Sequence, residues 1–134
     1  MKKIKKRSFC GISSALDILG DKWSLLIIRD IIFDKKNTYS DFLNSDEKIA
    51  TNILADRLIM LESTGILIKQ EHPDSKAKYL YKLTPKGIDL IPVLMEIVVW
   101  SDKYLEISER GKIFAKHIKK DREGLIKKIT FDSN

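Results

Sequence analysis

The chain has 134 residues, and its 25 Lys and Arg residues against 19 Asp and Glu residues give a formal net charge of +6. This length suits one domain, which buries enough surface to fold without disulfides. The single cysteine, Cys10, excludes an internal disulfide and a cysteine-rich metal site, and with no apolar leader it predicts a cytoplasmic protein. The longest mostly apolar run, residues 88–100, is shorter than the about 20 residues that a membrane span requires.

The positive charge lies mainly at the two ends of the sequence. The first seven residues carry five positive charges and residues 106–134 carry a net +3, so that residues 8–105 have a net charge of −2. Because basic ends are often only solvated, the high pI does not by itself establish nucleic-acid binding. We therefore divide the chain into a basic arm (residues 1–9), a central domain (10–105) and a charged helical extension (106–134).

The first half of the sequence predicts four helices. Residues 12–19 predict a short helix that ends at Gly20 in the left-handed conformation, after which Asp21 is expected to cap a second, largely apolar helix of the core. A short helix over residues 39–44 follows. Residues 50–64 predict the fourth helix, which ends at a glycine.

Two strands and a long helix come next. Residues 66–72 and 78–84 alternate with period two and predict a β-hairpin with a turn-rich tip at residues 73–77. Thr84 is the expected N-cap of a helix over residues 85–105, and a further amphipathic helix is expected over residues 106–129.

The helix over residues 85–105 is apolar on two opposite faces. A helix of this kind must bury both faces, so one face is expected to cover the protein's own core and the other to meet a second copy. The predicted fold is therefore a mainly α winged helix-turn-helix with a small β-hairpin wing, dimerised through its terminal helices. The candidate dimer-interface residues, taken from both faces, are Ile91, Leu94, Met95, Ile97, Val98 and Trp100.

Two helices joined by a tight turn and followed by a hairpin are typical of proteins that place the second helix in the DNA major groove. The side of residues 50–64 opposite its apolar stripe carries Thr51, Asn52 and Asp56, which are the candidate base-facing residues. Asn bonds adenine with two hydrogen bonds, and Thr offers a hydroxyl and a methyl group.

The segment from residue 48 to residue 86 has a net charge of +3, within a central region that is negative. We expect Lys48 near the helix, and Lys76 and Lys78 at the wing, to contact phosphates or the minor groove. Two interpretations remain open for Arg57, which either grips a phosphate or pairs with Asp56 or Glu62.

Several separate blocks of the sequence together form a recognisable pattern over residues 10–105. The blocks are Cys10-Gly11-Ile12, Gly20-Asp21-Lys22-Trp23, Asn52-Ile53-Leu54-Ala55-Asp56-Arg57-Leu58, Gly65-Ile66-Leu67 and Tyr81-Lys82-Leu83-Thr84-Pro85-Lys86-Gly87, with Trp100. In this order the blocks resemble the HxlR-type regulators, which are related to the MarR-type regulators. The resemblance implies a bacterial or archaeal homodimeric transcription factor that binds double-stranded operator DNA without a metal or nucleotide cofactor.

Some members of that family sense oxidants or electrophiles through an N-terminal cysteine, which makes Cys10 a candidate redox sensor. The neighbouring Lys5, Lys6 and Arg7 are expected to favour its reactive thiolate. The alternative for a free cysteine is a buried, inert side chain. Oxidation to a disulfide would require a second subunit.

An enzyme is not expected, because the sequence has no phosphate-binding loop, no nucleophile motif and no set of ligands at metal-binding spacing. The main alternative to DNA binding is a winged-helix module that contacts a protein partner. Ile59, on the base-facing side of the fourth helix, would suit that role. The operator, the direction of regulation and the effector are not encoded in any pattern of the sequence.

Overall fold

The computed structural model describes residues 4–133, so the first three residues of the predicted basic arm lie outside it. Within the described range, eight α-helices and one two-stranded antiparallel sheet confirm the expected mainly α fold with a β-hairpin. The chain forms two compact units, residues 1–87 and 88–134. This division lies upstream of the boundary at residue 105 that we drew from the sequence.

The helices and the hairpin follow one another in the order of a winged helix. The first unit contains α1 (Gly11–Leu19), α2 (Ser24–Phe33), α3 (Tyr39–Leu43), α4 (Thr51–Ser63), β1 (Leu67–His72) and β2 (Ser75–Leu83). The second unit contains α6 (Ile91–Tyr104), α7 (Glu109–Lys120) and α8 (Arg122–Ser133), and α5 (Pro85–Ile88) lies at the boundary. We call the β1–β2 hairpin the wing.

Aliphatic side chains from α2, α4 and the wing form the core of the first unit. The predicted apolar stripe of α4 is confirmed, since Leu54, Leu58 and Leu61 are at most 3% exposed. Each such leucine contributes about 1.5–3 kcal/mol to folding through removal of its surface from water. The opposite side of α4 is thereby turned outward.

The junction between α1 and α2 differs from the prediction in two details. The backbone of Gly20 has the right-handed conformation, with φ −81°, and not the left-handed one that we expected. A glycine is needed there for a steric reason, because a Cβ would lie 2.4 Å from the carbonyl oxygen of Leu16. Asp21 does cap α2, but α2 begins later than expected, so that Asp21 lies two residues before the N-cap position, which is occupied by Trp23. Its carboxylate accepts hydrogen bonds from the backbone nitrogens of Trp23 and Ser24, both at 2.9 Å.

The helix predicted over residues 85–105 is interrupted at residues 89–90, so α5 and α6 are separate. Pro92, near the start of α6, explains the break. Proline lacks a backbone N–H, and its ring would collide with the carbonyl of Ile88 in a continuous helix. No helix within residues 4–133 is long and apolar enough to cross a membrane.

The C-terminal helix predicted over residues 106–129 is also two helices. The break falls at Asp121, whose backbone is non-helical and whose carboxylate accepts a hydrogen bond from the nitrogen of Gly124 at 3.0 Å. Aspartate suits this capping role, and Gly124 leaves room for the carboxylate. Two ion pairs link the three helices of the second unit, Arg122 to Glu96 at 2.6 Å and Lys119 to Asp102 at 3.7 Å.

The wing is longer than predicted. β2 begins at Ser75, and the tip is a two-residue turn at residues 73–74 with an irregular register next to it. Lys76, which the sequence placed in the tip, therefore lies on β2 together with Lys78, which was expected on a strand. At the other end of the wing, Gly65 follows the end of α4, as the sequence predicted, and it has a positive φ of 81°.

Candidate nucleic-acid interface

Short-range hydrogen bonds define the first helix of the α3–α4 pair. Thr38 and Asp41 form a reciprocal capping box, with each side chain accepting from the other residue's backbone nitrogen at 3.2 Å. Partial burial raises the pKa of Asp41, but the hydrogen bonds from Asn37 and Thr38 outweigh it and lower the pKa below its usual value. The charged carboxylate is thus the form that holds the start of α3.

The turn between α3 and α4 leads directly into the first turn of α4. Lys48 lies in this turn with a positive φ of 57°, and its backbone nitrogen bonds the carbonyl of Ser45 at 3.0 Å. Tyr39 of α3 donates its hydroxyl to the carbonyl oxygen of Thr51 at 2.8 Å. The first residue of α4 is therefore tied to α3 by a direct hydrogen bond.

The outward side of α4 presents the two residues that we expected at its beginning. Thr51 and Asn52 are exposed, and within residues 4–133 their side chains form no hydrogen bond. Ile59, two turns later on the helix, is 56% exposed. The structure brings Thr51 and Asn52 together on the outward side of the first turn, where recognition helices contact bases.

Asp56 and Arg57 are engaged with each other. The Arg57 Nη2 lies 2.6 Å from Asp56 Oδ2, and its Nη1 lies 3.4 Å from Asp21 Oδ1. The hydrogen bond to Asp56 is the main cause that raises the pKa of Arg57. Of the two interpretations left open by the sequence, the structure has the intramolecular pair, with Asp56 and not Glu62 as a partner.

The wing carries lysines in two different situations. Lys76, Lys78 and Lys82 are exposed and form no ion pair within the described part of the chain. Lys69 instead lies 4.0 Å from the centre of the Tyr79 ring, and Lys86 donates to the carbonyl of Thr64 at 2.6 Å. The local charge of +3 is therefore distributed unevenly: its accessible lysines lie on the wing and, at Lys48, in the turn before α4.

A group of charged residues on α2 was missed by the sequence reasoning. Arg29 forms ion pairs with the adjacent Asp30 and with Glu47 in the turn before α4, both at 2.7 Å. The hydrogen bonds from Arg29 lower the pKa of Glu47 to about 2. The signal in the sequence was two charged residues in the middle of an apolar helix.

Cys10 is exposed and occupies the N-cap of α1. The pKa of its thiol is lowered, and the causes are the backbone N–H groups of Ser13 and Ile12, not the basic side chains that we expected. Arg7 is directed elsewhere, since its Nε lies 2.8 Å from Asp17 Oδ1.

The expected dimer residues of α6 fall into two sets. Ile91, Leu94 and Met95 are buried within the single chain, so they are not accessible to a second copy. Ile97 and Trp100 are 44% and 56% exposed, Val98 is half-buried, and the ring of Trp100 lies 5.5 Å from that of Tyr104. Val93, which belongs to the same exposed face, was not among the expected interface residues.

Comparison with known proteins identifies the family of this fold. The sequence model of the HxlR-like helix-turn-helix family matches residues 18–109. The chain belongs to this family. It is a DNA-binding transcriptional regulator, as the sequence predicted.

The chain is similar to a curated transcriptional regulator and to proteins of known structure. The transcriptional regulator YodB of Bacillus subtilis is 33% identical over 71% of this chain and 84% of its own length. The crystal structure of PA1607, a putative transcription factor, has a TM-score of 0.68 and 35% identity, over 78% of this chain and 71% of that one. The reduced form of YodB has a TM-score of 0.59 and 31% identity, over 76% of this chain and all of YodB.

Proposed function

We propose that this HxlR-type regulator binds double-stranded operator DNA as a homodimer. In this proposal α4 enters the major groove and the wing contacts the backbone or the minor groove. The observation that carries it is the first turn of α4. There the side chains of Thr51 and Asn52 are exposed and form no hydrogen bond within residues 4–133, and a hydrogen bond from α3 to the backbone of Thr51 holds the turn in place. Lys48 lies immediately before this turn, as a candidate phosphate contact.

The state of Asp56 refines its proposed role. A carboxylate at a DNA surface accepts a hydrogen bond from cytosine or repels phosphates. Because Arg57 lies against Asp56, the pair carries little net charge, and Arg57 is not free to grip a phosphate while the pair persists. We therefore rank Thr51 and Asn52 above Asp56 as base contacts, and Lys76 and Lys78 above Arg57 as phosphate contacts.

A titration of DNA from the region flanking the protein's own gene tests the function. We expect a sequence-preferring complex whose affinity falls steeply between about 50 and 200 mM salt, because phosphate contacts release counterions. Lys76→Ala is expected to weaken binding to all sequences alike and to reduce the salt slope by about 1. Lys116→Ala is the matched control, because Lys116 is an exposed lysine of α7 and, like Lys76, forms no ion pair within residues 4–133. A complex with no salt dependence or no sequence preference would contradict the proposal.

The dimer is proposed to form through the exposed apolar surfaces of the terminal helices. On α6 these are Val93, Ile97 and Trp100, with Val98 at their border. α1 has no buried residue and exposes Ile12 by 75%. Exposed apolar faces of this kind are typical of surfaces that become covered by a partner.

We keep residues 1–9 and 106–134 as a proposed arm and extension of the central domain.

We further infer that Cys10 responds to electrophiles or oxidants. The supporting observation is its exposed thiol at the start of α1, with a lowered pKa. YodB has been solved in a diamide-treated form and in a quinone-bound form. In the proposed reaction the Cys10 thiolate adds to a quinone ring and forms a C–S bond, and the ring takes up the proton to give the hydroquinone adduct.

Quinone treatment is expected to add one adduct to the protein and to change its operator affinity. The Cys10→Ser protein is expected to bind DNA normally and to be unaffected by quinone. Mass spectrometry and the same DNA titration measure both effects. If treated and untreated protein bind operator DNA equally well, Cys10 is not a sensor.

A further inference from the structure

Four polar residues connect α2 with the turn that precedes α4. Arg29 donates two hydrogen bonds to the carboxylate of Glu47, from Nη1 at 2.7 Å and from Nη2 at 2.8 Å. It also donates to Asp30 from Nε at 3.0 Å and from Nη2 at 2.7 Å. Asp30 in turn accepts a hydrogen bond from the hydroxyl of Ser45. We call Arg29, Asp30, Ser45 and Glu47 the α2 clamp.

The centre of the α2 clamp is buried. Asp30 is 2% exposed, and a buried carboxylate is strongly unfavourable unless charged or hydrogen-bonding partners surround it. Arg29 and Ser45 are those partners, and Lys36 donates to the Ser45 hydroxyl at 3.0 Å. Asp30 is therefore held by one partner on its own helix and by one in the α3–α4 turn.

Two members of the α2 clamp belong to the turn itself. Ser45 and Glu47 lie between the end of α3 and the start of α4, and the same turn contains the left-handed residue Lys48. The parallel pair of hydrogen bonds between a guanidinium and a carboxylate fixes orientation as well as distance. The path of the chain into Thr51 is thus set by α2 as well as by Tyr39.

We propose that Arg29 and Glu47 are positioning residues for DNA binding: they do not touch DNA, but they hold the turn that places the first turn of α4. This inference rests on the proposed function, in which that first turn contacts bases. It assigns a role to two residues that lie outside the contact surface itself. Its chemical basis is the bidentate pair, not the charge of either residue alone.

The direction in which one substitution changes DNA affinity distinguishes a positioning role from a purely electrostatic one. Glu47→Gln removes a negative charge next to the proposed DNA surface, so charge alone predicts tighter binding to polyanionic DNA. Loss of the bidentate pair predicts the opposite, because α4 must then be ordered when DNA binds. We expect operator affinity to fall by about tenfold. The salt dependence is expected to stay unchanged, since no phosphate contact is lost.

Asp46→Asn is the matched control. Asp46 is the adjacent carboxylate in the same turn, is exposed, and forms no ion pair within the part of the chain that the structure describes. Its replacement removes the same charge without breaking the α2 clamp, so we expect unchanged or slightly tighter binding. In a double-mutant cycle, Arg29→Gln and Glu47→Gln should not be additive, because either change breaks the same pair.

Circular dichroism at the assay temperature establishes that each variant is folded. If Glu47→Gln does not fold, Arg29→Lys takes its place, since lysine keeps the charge but lacks the planar fork, and reduced affinity is again expected. Glu47→Gln binding as tightly as Asp46→Asn would overturn the inference while leaving the proposed function intact. If the unaltered protein and the Asp46→Asn control both fail to bind operator DNA, the proposed function itself is wrong.

Discussion

A protein carrying Trp100→Glu is expected to be a monomer at micromolar concentrations at which the unaltered protein is a dimer. Trp100 is 56% exposed on the apolar face of α6 that also contains Val93 and Ile97. If this face is covered by a second copy, the substitution buries an unpaired carboxylate, which costs about 3–5 kcal/mol. A two-fold symmetric interface contains the substitution twice. The dimer dissociation constant is therefore expected to rise by at least about a hundredfold.

Multi-angle light scattering over a concentration series measures this effect. Ile68→Glu is the control, because Ile68 is 41% exposed on β1 and its replacement adds the same charge outside the terminal helices. Operator affinity is expected to fall along with dimerisation, since a monomer contacts a single half-site. A dimer of unchanged affinity in Trp100→Glu would place the subunit interface elsewhere.

The second large effect is expected at Asn52. Asn52→Ala is expected to remove about 1–3 kcal/mol of discrimination between the preferred operator and a variant changed at one base pair. The reason is that a bidentate asparagine–adenine contact is lost while the phosphate contacts remain. Affinity for unrelated DNA is therefore expected to change little.

Parallel titrations of the operator, single-base variants and unrelated DNA measure this discrimination. Lys76→Ala is the comparison, since a wing phosphate contact is expected to affect all three classes of DNA equally. Leu54, on the buried side of α4, must stay intact in these proteins because its side chain fixes the helix to the core. If Asn52→Ala lowers affinity for every DNA equally, Asn52 acts on the backbone and not on a base.

The sequence was sufficient for the features that depend on neighbours along the chain. The apolar stripe of α4, the glycine that ends this helix and the alternating strands all follow from periodicity and turn chemistry within a few residues. The helix breaks near Pro92 and at Asp121 were also local. We did not predict them, because an apolar or amphipathic pattern continues across both positions and masked the proline and the capping aspartate.

The candidate site divides in the same way. Thr51 and Asn52 could be predicted, since their place opposite a buried stripe is a property of one helix. Asp56 was among the partners expected for Arg57. Its second partner could not be predicted, because Asp21 lies in the junction between α1 and α2, far away along the chain, and neither could Glu47, the partner of Arg29 that is 18 residues away. The buried face of α6 could not be predicted either, because periodicity revealed two apolar faces but not which of them the chain itself covers.

The sequence by itself determined the order of the helices, the helix that we propose to face DNA and the family to which the chain belongs. Those properties depend on local patterns of apolar, capping and turn residues, which can be recognised in the sequence alone. Only the tertiary structure decided which charges are engaged and which remain accessible, namely that Arg57 is held by Asp56 and Asp21 while Lys76 and Lys78 are exposed. The physical reason is that an ion pair depends on a distance of a few ångströms between atoms, and the fold sets that distance independently of separation along the chain.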